Sequence, residues 1–151
     1  MTDTPNTPDT PDITSSTAFK LHRATALIDR VADEYLAREH GIHYAPFLVL
    51  LMVRLLGEPS QQAIARSLDV SRASVTQRVS ALVERGLLAV SPDPADARAN
   101  VVRLTTDGAV LVDSAWRGLE QHQSGLDAGV DEPALVAQLD RIISNAVEAL
   151  S

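Results

Sequence analysis

A mainly α-helical fold with one small β-hairpin is what this sequence predicts, and three observations carry it. Apolar residues recur at helical spacing in long segments near both ends of the chain. Two shorter helical segments in the middle each begin at a serine and are separated only by Asp69 and Val70. Immediately after them, two short apolar stretches rich in valine and leucine flank the loop "SPDPADARAN", which is the pattern of two strands joined by a proline-bearing connection.

The elements follow in order. Residues 1–16 are Thr, Pro, Asp and Ser with almost nothing apolar, so they are expected to form a disordered tail that cannot offset its ordering entropy. From Thr17, the residues Ala24, Leu27, Ile28, Val31, Ala32, Tyr35 and Leu36 make one stripe of a helix that runs to His40, and Gly41 ends it. His43 to Leu56 is apolar on most sides and reads as a central helix, with Pro46 tolerated in its first turn. Gly57, Glu58 and Pro59 break it. Ser60 then caps a short helix through Leu68, and Ser71 caps another through Arg85, which Gly86 stops. Leu87–Val90 and Val101–Leu104 are the two strands. Thr105 or Thr106 opens a long helix to Gln123, Gly125 and Gly129 interrupt it, and Asp131 caps a last helix striped by Leu135, Leu139, Ile142, Ile143, Ala146 and Leu150.

The chain has 151 residues, enough for one domain with one core. Aromatics make up only 3%, so that core is aliphatic. Cysteine is absent, which excludes disulfides, thiol catalysis, thiol redox sensing and cysteine-based metal sites. No basic segment followed by an apolar run opens the chain, and the apolar run Ala45–Val53 is too short to span a bilayer; the expectation is a cytoplasmic protein with no membrane partner. The net charge of −7 argues against nucleic acid until its distribution is considered. Ser60 to Arg103 holds six Arg against four acids, a net +2, and the remainder carries −9. An acidic body therefore carries a mildly basic middle.

Two short helices, a tight turn, then strand, loop and strand constitute a winged helix-turn-helix, here residues 60–86 followed by a wing at 87–104. Val75, Val79 and Leu82 form the inward stripe of the second short helix. Ala73, Ser74, Thr76, Gln77 and Ser80 then lie on its open side, with Arg72 and Arg78 at the margins, and no acid occurs before Glu84. A helix entering a major groove needs this chemistry: small residues permit close approach, Gln and Arg match base edges, and hydroxyls such as those of Ser60 and Ser71 reach phosphates. An ordinary solvated face would mix Glu with Lys.

The stretch "SQQAIARSLDVSRASVTQRVSALVERGLL", followed by "DPADARANVVRLTTDG", resembles the MarR family of bacterial transcription regulators. The most specific part is the wing, with Asp96, Ala97 and Arg98 ahead of a strand and then Leu104, Thr105 and Gly108. The resemblance spans residues 17–151. It implies a homodimer whose helices at 17–40 and 106–151 intertwine with those of a second subunit. It also implies a double-stranded DNA operator of pseudo-palindromic sequence, usually under repression. Arg98 then contacts the minor groove or the adjacent backbone, with Asp96 orienting it. A small aromatic or anionic effector is implied near His22, Tyr44, Phe47 and Trp116. Gln77 stands where the family often has Arg, and Arg78 where an apolar residue is common, so the operator is expected to differ from those of relatives. "HYAPF" likewise departs from the family's polar start to that helix.

Two further readings bear on function. His22, His40, His43 and His122 show no ligand spacing and are expected at the surface or at caps, with no metal and no cofactor. No nucleophile elbow, P-loop or dinucleotide motif is present, so the chain is expected not to be an enzyme. The rival function is a winged-helix dimer that has lost DNA binding and serves as a protein-interaction module. Such a chain would have lost Arg98 or gained acids between Arg72 and Ser80, and this one has done neither.

Overall fold

A computed structural model of the protein describes residues 12–151. It contains six helices and one two-stranded sheet: α1 Thr17–His40, α2 Tyr44–Leu56, α3 Gln61–Leu68, α4 Arg72–Glu84, β1 Leu88–Pro92, β2 Asn100–Leu104, α5 Thr106–Gln123 and α6 Glu132–Ala149. Of the tail expected to be disordered, residues 1–11 lie outside the described residues. Its last part is a correction: Ile13–Ser15 form a single 3-10 turn, because the Asp12 carboxylate accepts from the Thr14 N–H at 3.1 Å and from its hydroxyl at 2.6 Å.

Capping chemistry sets most boundaries. Ser16, Ser60, Ser71, Thr105 and Asp131 each accept a backbone N–H from the first turn of the helix that follows. The α3–α4 turn opens on one left-handed residue, Asp69 at φ +54°, a conformation that Asp tolerates better than most side chains. His43 offers α2 no such cap. The cap comes instead from α1, where Asp33 accepts from the Tyr44 N–H at 2.7 Å and lies 3.1 Å from His43 Nδ1.

The core is aliphatic apart from Phe47. Ala32 and Leu36 of α1, Leu50 and Val53 of α2, Ile64 of α3, Val75, Val79 and Leu82 of α4, Leu88 and Val102 of the strands, and Val112 and Ala115 of α5 are all buried in one cluster. The strands are antiparallel, with Leu88 opposite Leu104 and Pro92 opposite Asn100, so the hairpin extends farther toward its tip than expected. Its base is tied to the chain after α2, because the Val102 N–H donates to the Pro59 carbonyl at 2.8 Å. Thr105 locks the other end: its hydroxyl donates to the Gly86 carbonyl at 2.6 Å and accepts from the Gly108 N–H at 3.0 Å. A Cβ on Gly108 would collide with the Leu87 carbonyl, which accounts for glycine at that place.

The ends of the chain behave differently from the middle. α6 contains no buried residue, and its stripe stays in the open, with Leu135 46%, Ile143 59% and Leu150 89% exposed. Leu27 and Ile28 in the first half of α1 are similarly uncovered.

The Asp33 cap yields a prediction. The Tyr44 N–H first, and His43 second, hold the Asp33 carboxyl below the usual carboxylate range. A depressed folded-state pKa means that the ionised group stabilises the fold above the ordinary carboxylate pKa of about 3.9, and that this contribution is lost as pH falls through the folded value. Asp33→Ala is expected to lower stability at neutral pH by about 1 kcal/mol at most, because the site is partly exposed, and Asp33→Asn by less. The difference between wild type and Asp33→Ala in denaturant melts should shrink below pH 4 or so as the carboxylate protonates.

Candidate nucleic-acid interface

α4 is seated on α2, α3 and β1 through Val75, Val79 and Leu82, all at most 2% exposed. With that face buried, the opposite face is the one left to solvent: Arg72, Ala73, Thr76, Gln77 and Ser80 are exposed, and Ser74 and Arg78 are half-buried. Ser60 and Ser71 sit at the N-termini of α3 and α4. Each hydroxyl oxygen accepts from an amide at 3.1 Å, from Ala63 and Ser74 respectively, which leaves each hydroxyl proton to donate outward.

Two α3 residues outside the sequence-based site also stand out. Arg66 is exposed on α3. Gln61, the first residue of α3, accepts the Thr76 hydroxyl proton at 2.6 Å across the turn. Nothing in a single sequence signals a side-chain pair fifteen residues apart, whereas an arginine in a basic segment was available to be noticed. Among the described residues Arg66, Arg72, Arg78 and Arg98 form no ion pair, whereas Arg30, Arg38, Arg54 and Arg103 each pair with a carboxylate.

The loop between the strands is held by its own backbone. The Asp93 N–H donates to the Ala99 carbonyl at 2.8 Å and the Ala99 N–H to the Asp96 carbonyl at 3.0 Å. Asp96 acts on Arg98 through the main chain: its carboxylate accepts from the Arg98 N–H at 3.0 Å. The Arg98 side chain is exposed. The two wing arginines therefore differ. Arg103 is held by Glu58, with Nε and a terminal nitrogen 2.9 and 3.1 Å from the two carboxylate oxygens, and so braces the wing against the turn after α2.

The four residues expected near an effector lie on three elements, α1, α2 and α5. Phe47 is fully buried in the core cluster, on the same α2 face as Leu50 and Val53. Tyr44 is half-buried against that core, and burial, followed by the Asp29 charge, pushes its phenol pKa up. His22 is exposed on α1. Trp116 alone lines a cleft of about 610 Å³ between α2 and α5, together with Leu51, Arg54, Leu55, Val112, Asp113 and Arg117. Arg54 donates to both oxygens of Asp113 at 2.7 and 2.9 Å, while the Arg117 Nε donates to the Asp113 carbonyl at 3.2 Å. The cleft thus joins an indole and aliphatic walls to two guanidinium groups and one carboxylate. Elsewhere, His40 lies 3.4 Å from the Tyr35 hydroxyl and His122 stacks on that ring, and among the described residues no acidic and histidine side chains group as a metal site. No helix among the described residues is long and apolar enough to cross a membrane.

A helix seated to present hydrogen-bonding residues between unpaired arginines, with a braced hairpin holding another arginine beside it, defines a winged-helix DNA-binding protein. Residues 40–99 match the model of the MarR family. Over 105 residues the chain is 30% identical to the multiple antibiotic resistance protein MarR of Escherichia coli, covering 68% of this chain and 72% of that protein. The chain belongs to the MarR family of transcription regulators. It is also 37% identical over 68 residues to the transcriptional repressor NicR of Pseudomonas putida, a match spanning 45% of this chain and 43% of that one. Among solved structures, BpsR of Bordetella bronchiseptica superposes with a TM-score of 0.75 at 28% identity, over 87% of this chain and 95% of that one; its DNA binding is regulated by 6-hydroxynicotinic acid.

The contrast between the wing arginines is testable by thermal melts. Arg103→Ala should lower stability by up to about 1 kcal/mol, the range of a partly exposed ion pair. Arg98→Ala should leave it unchanged within about 0.5 kcal/mol, as expected of an exposed side chain without a partner.

Proposed function

We propose that this chain is a dimeric repressor that binds a pseudo-palindromic operator and releases it when a small aromatic or anionic molecule occupies the protein. The observation that carries the DNA reading is the α4 face itself: Thr76, Gln77 and Ser80 in the open between unpaired Arg72 and Arg78. Gln77 suits a bidentate contact to adenine and Arg78 one to guanine, while Ser60, Ser71, Ser74 and Arg72 suit phosphates, and Ala73 lets the helix approach closely. Arg98, presented by the Asp96-shaped loop, suits the minor groove or its flanking phosphates.

The dimer reading rests on α6. α6 has a continuous apolar stripe and no buried residue, so it finds no cover among the described residues, and a two-fold related copy would supply one. The effector reading rests on the α2–α5 cleft, where Trp116 offers a face to an aromatic ring and Arg117 an unpaired cation to an anion. α2 belongs to the DNA-binding lobe, and α5 leads on toward α6. An effector that favours a different angle between α2 and α5 alters the spacing of the two recognition helices, and only such a preference can release DNA.

The experiment is selection of bound sequences from random DNA with the full chain, followed by salt titration on the selected site. Selection should return two inverted half-sites. Arg98→Ala should flatten the plot of log affinity against log salt by about two units, because each dimer loses two contacts with a slope near 0.9 apiece. Unchanged affinity and slope would remove the wing from the interface. For the effector, Trp116 is the only tryptophan, so a phenolic or heteroaromatic acid that releases DNA should change its emission, and Arg117→Ala should abolish both effects. Release with unaltered Trp116 emission would place the effector elsewhere.

A further inference from the structure

The contact between Gln61 and Thr76 joins the two helices of the DNA-binding motif at the surface facing outward. The Thr76 hydroxyl donates its only proton to Gln61 Oε1 at 2.6 Å. What Thr76 then has left for a ligand is its oxygen lone pairs and its methyl group, so it is an acceptor and no longer a donor. The Gln61 carboxamide has its oxygen turned to Thr76 and its nitrogen turned away, and among the described residues that nitrogen donates to no protein acceptor. Gln61 follows the Ser60 cap at the first turn of α3, and Thr76 stands one position before Gln77 on the exposed face of α4.

We propose that Gln61 and Thr76 work as one reading unit, in which Gln61 is a positioning residue that decides what Thr76 can read. A free threonine hydroxyl both donates and accepts, and so matches any base edge. Once locked as an acceptor, it matches only a base that presents an amino group in the major groove, which is adenine through N6 or cytosine through N4. Guanine and thymine present O6, N7 or O4 acceptors to the same place, and the locked oxygen faces them lone pair to lone pair. The outward Gln61 nitrogen meanwhile donates to a phosphate beside that base, so that α3 and α4 are placed on the duplex together. The inference rests on the DNA-binding reading above and adds to it a base class, amino over keto, at one position of each half-site.

The test uses the full chain and the site returned by random selection, with every half-site position varied in turn, and compares wild type with Gln61→Leu, Gln61→Glu and Thr76→Val. Wild type should prefer an amino base at one position. Gln61→Leu frees the Thr76 hydroxyl and should reduce that preference by about fivefold per half-site, the order of one net hydrogen bond, with preferences elsewhere retained. Thr76→Val should remove the preference at the same position, and adding Gln61→Leu to it should change the preference no further, because the two act through one contact. Gln61→Glu keeps an acceptor for Thr76 but replaces the phosphate donor with a negative charge. It should therefore keep the base preference while weakening binding to all sequences. Thermal melts identify any variant that has lost the fold, and Thr76→Val, nearly isosteric, keeps the test independent of substitutions at Gln61. If Gln61→Leu weakens every sequence equally and Thr76→Val leaves base preference intact, the inference is overturned. A wild-type chain that selects no sequence overturns the DNA-binding reading itself, which is a separate outcome.

Discussion

The seating of α4 on Val75, Val79 and Leu82 is the constraint on which the rest of the molecule depends. Burying a side chain of this size is worth about 1.5–3 kcal/mol, so three of them together contribute on the scale of a small domain's entire net stability of about 5–15 kcal/mol. Rotating α4 about its axis would expose that stripe and bury Thr76, Gln77 and the arginines beside it without partners, a double penalty. The reading face is thus determined by the face that cannot be read. The Asp69 turn and the Ser71 cap set where the helix begins, and the Thr76–Gln61 bond adds a polar link at the outer edge of the same contact.

The wing obeys the same division between anchored base and free tip. Val102 bonds to Pro59, Arg103 pairs with Glu58, and Thr105 bridges Gly86 and Gly108, so the hairpin leaves the body at a defined angle. Beyond Pro92 the hydrogen bonds among the described residues lie within the loop itself, and Arg98 extends from it exposed. The ends carry the opposite imbalance. α5 is anchored to α1 and α2, but among the described residues the apolar stripe of α6 has no cover, and an uncovered stripe of this kind gains by pairing with a copy of itself. The anchored centre and the uncovered stripe of α6 are the two features on which the proposed pairing of two such faces rests.

Much of this was legible in the sequence because the signals are local. A serine before a helical stripe, a glycine after one, and small or hydroxyl residues opposite Val75, Val79 and Leu82 need only neighbours within a few positions to be interpreted. The helix boundaries at Thr17, His40, Leu68 and Gln123 fall where those signals put them. What was not legible depends on contacts between distant segments. Phe47, expected near a ligand, packs in the core beside Leu50 and Val53, and the α2 face that lines the cleft carries Leu51, Arg54 and Leu55. The Arg54–Asp113 pair joins residues 59 positions apart, and Glu58–Arg103 joins residues 45 apart. Neither has a sequence signature. The short turn at Ile13–Ser15 was missed because composition averages over a segment, while one Asp12 carboxylate suffices to organise three residues.

In the proposed dimer, two copies of the α4 face read DNA at a separation set by the protein. Binding measured on a series of duplexes, in which the two inverted half-sites are moved apart one base pair at a time, tests it most directly. One sharp affinity maximum is expected with the half-site centres about one helical turn apart, near 34–36 Å, and a collapse toward the affinity of a single half-site when about five base pairs are inserted, because the second recognition helix then meets the opposite side of the duplex. Affinity that is indifferent to spacing, or equal for one half-site and two, would contradict it.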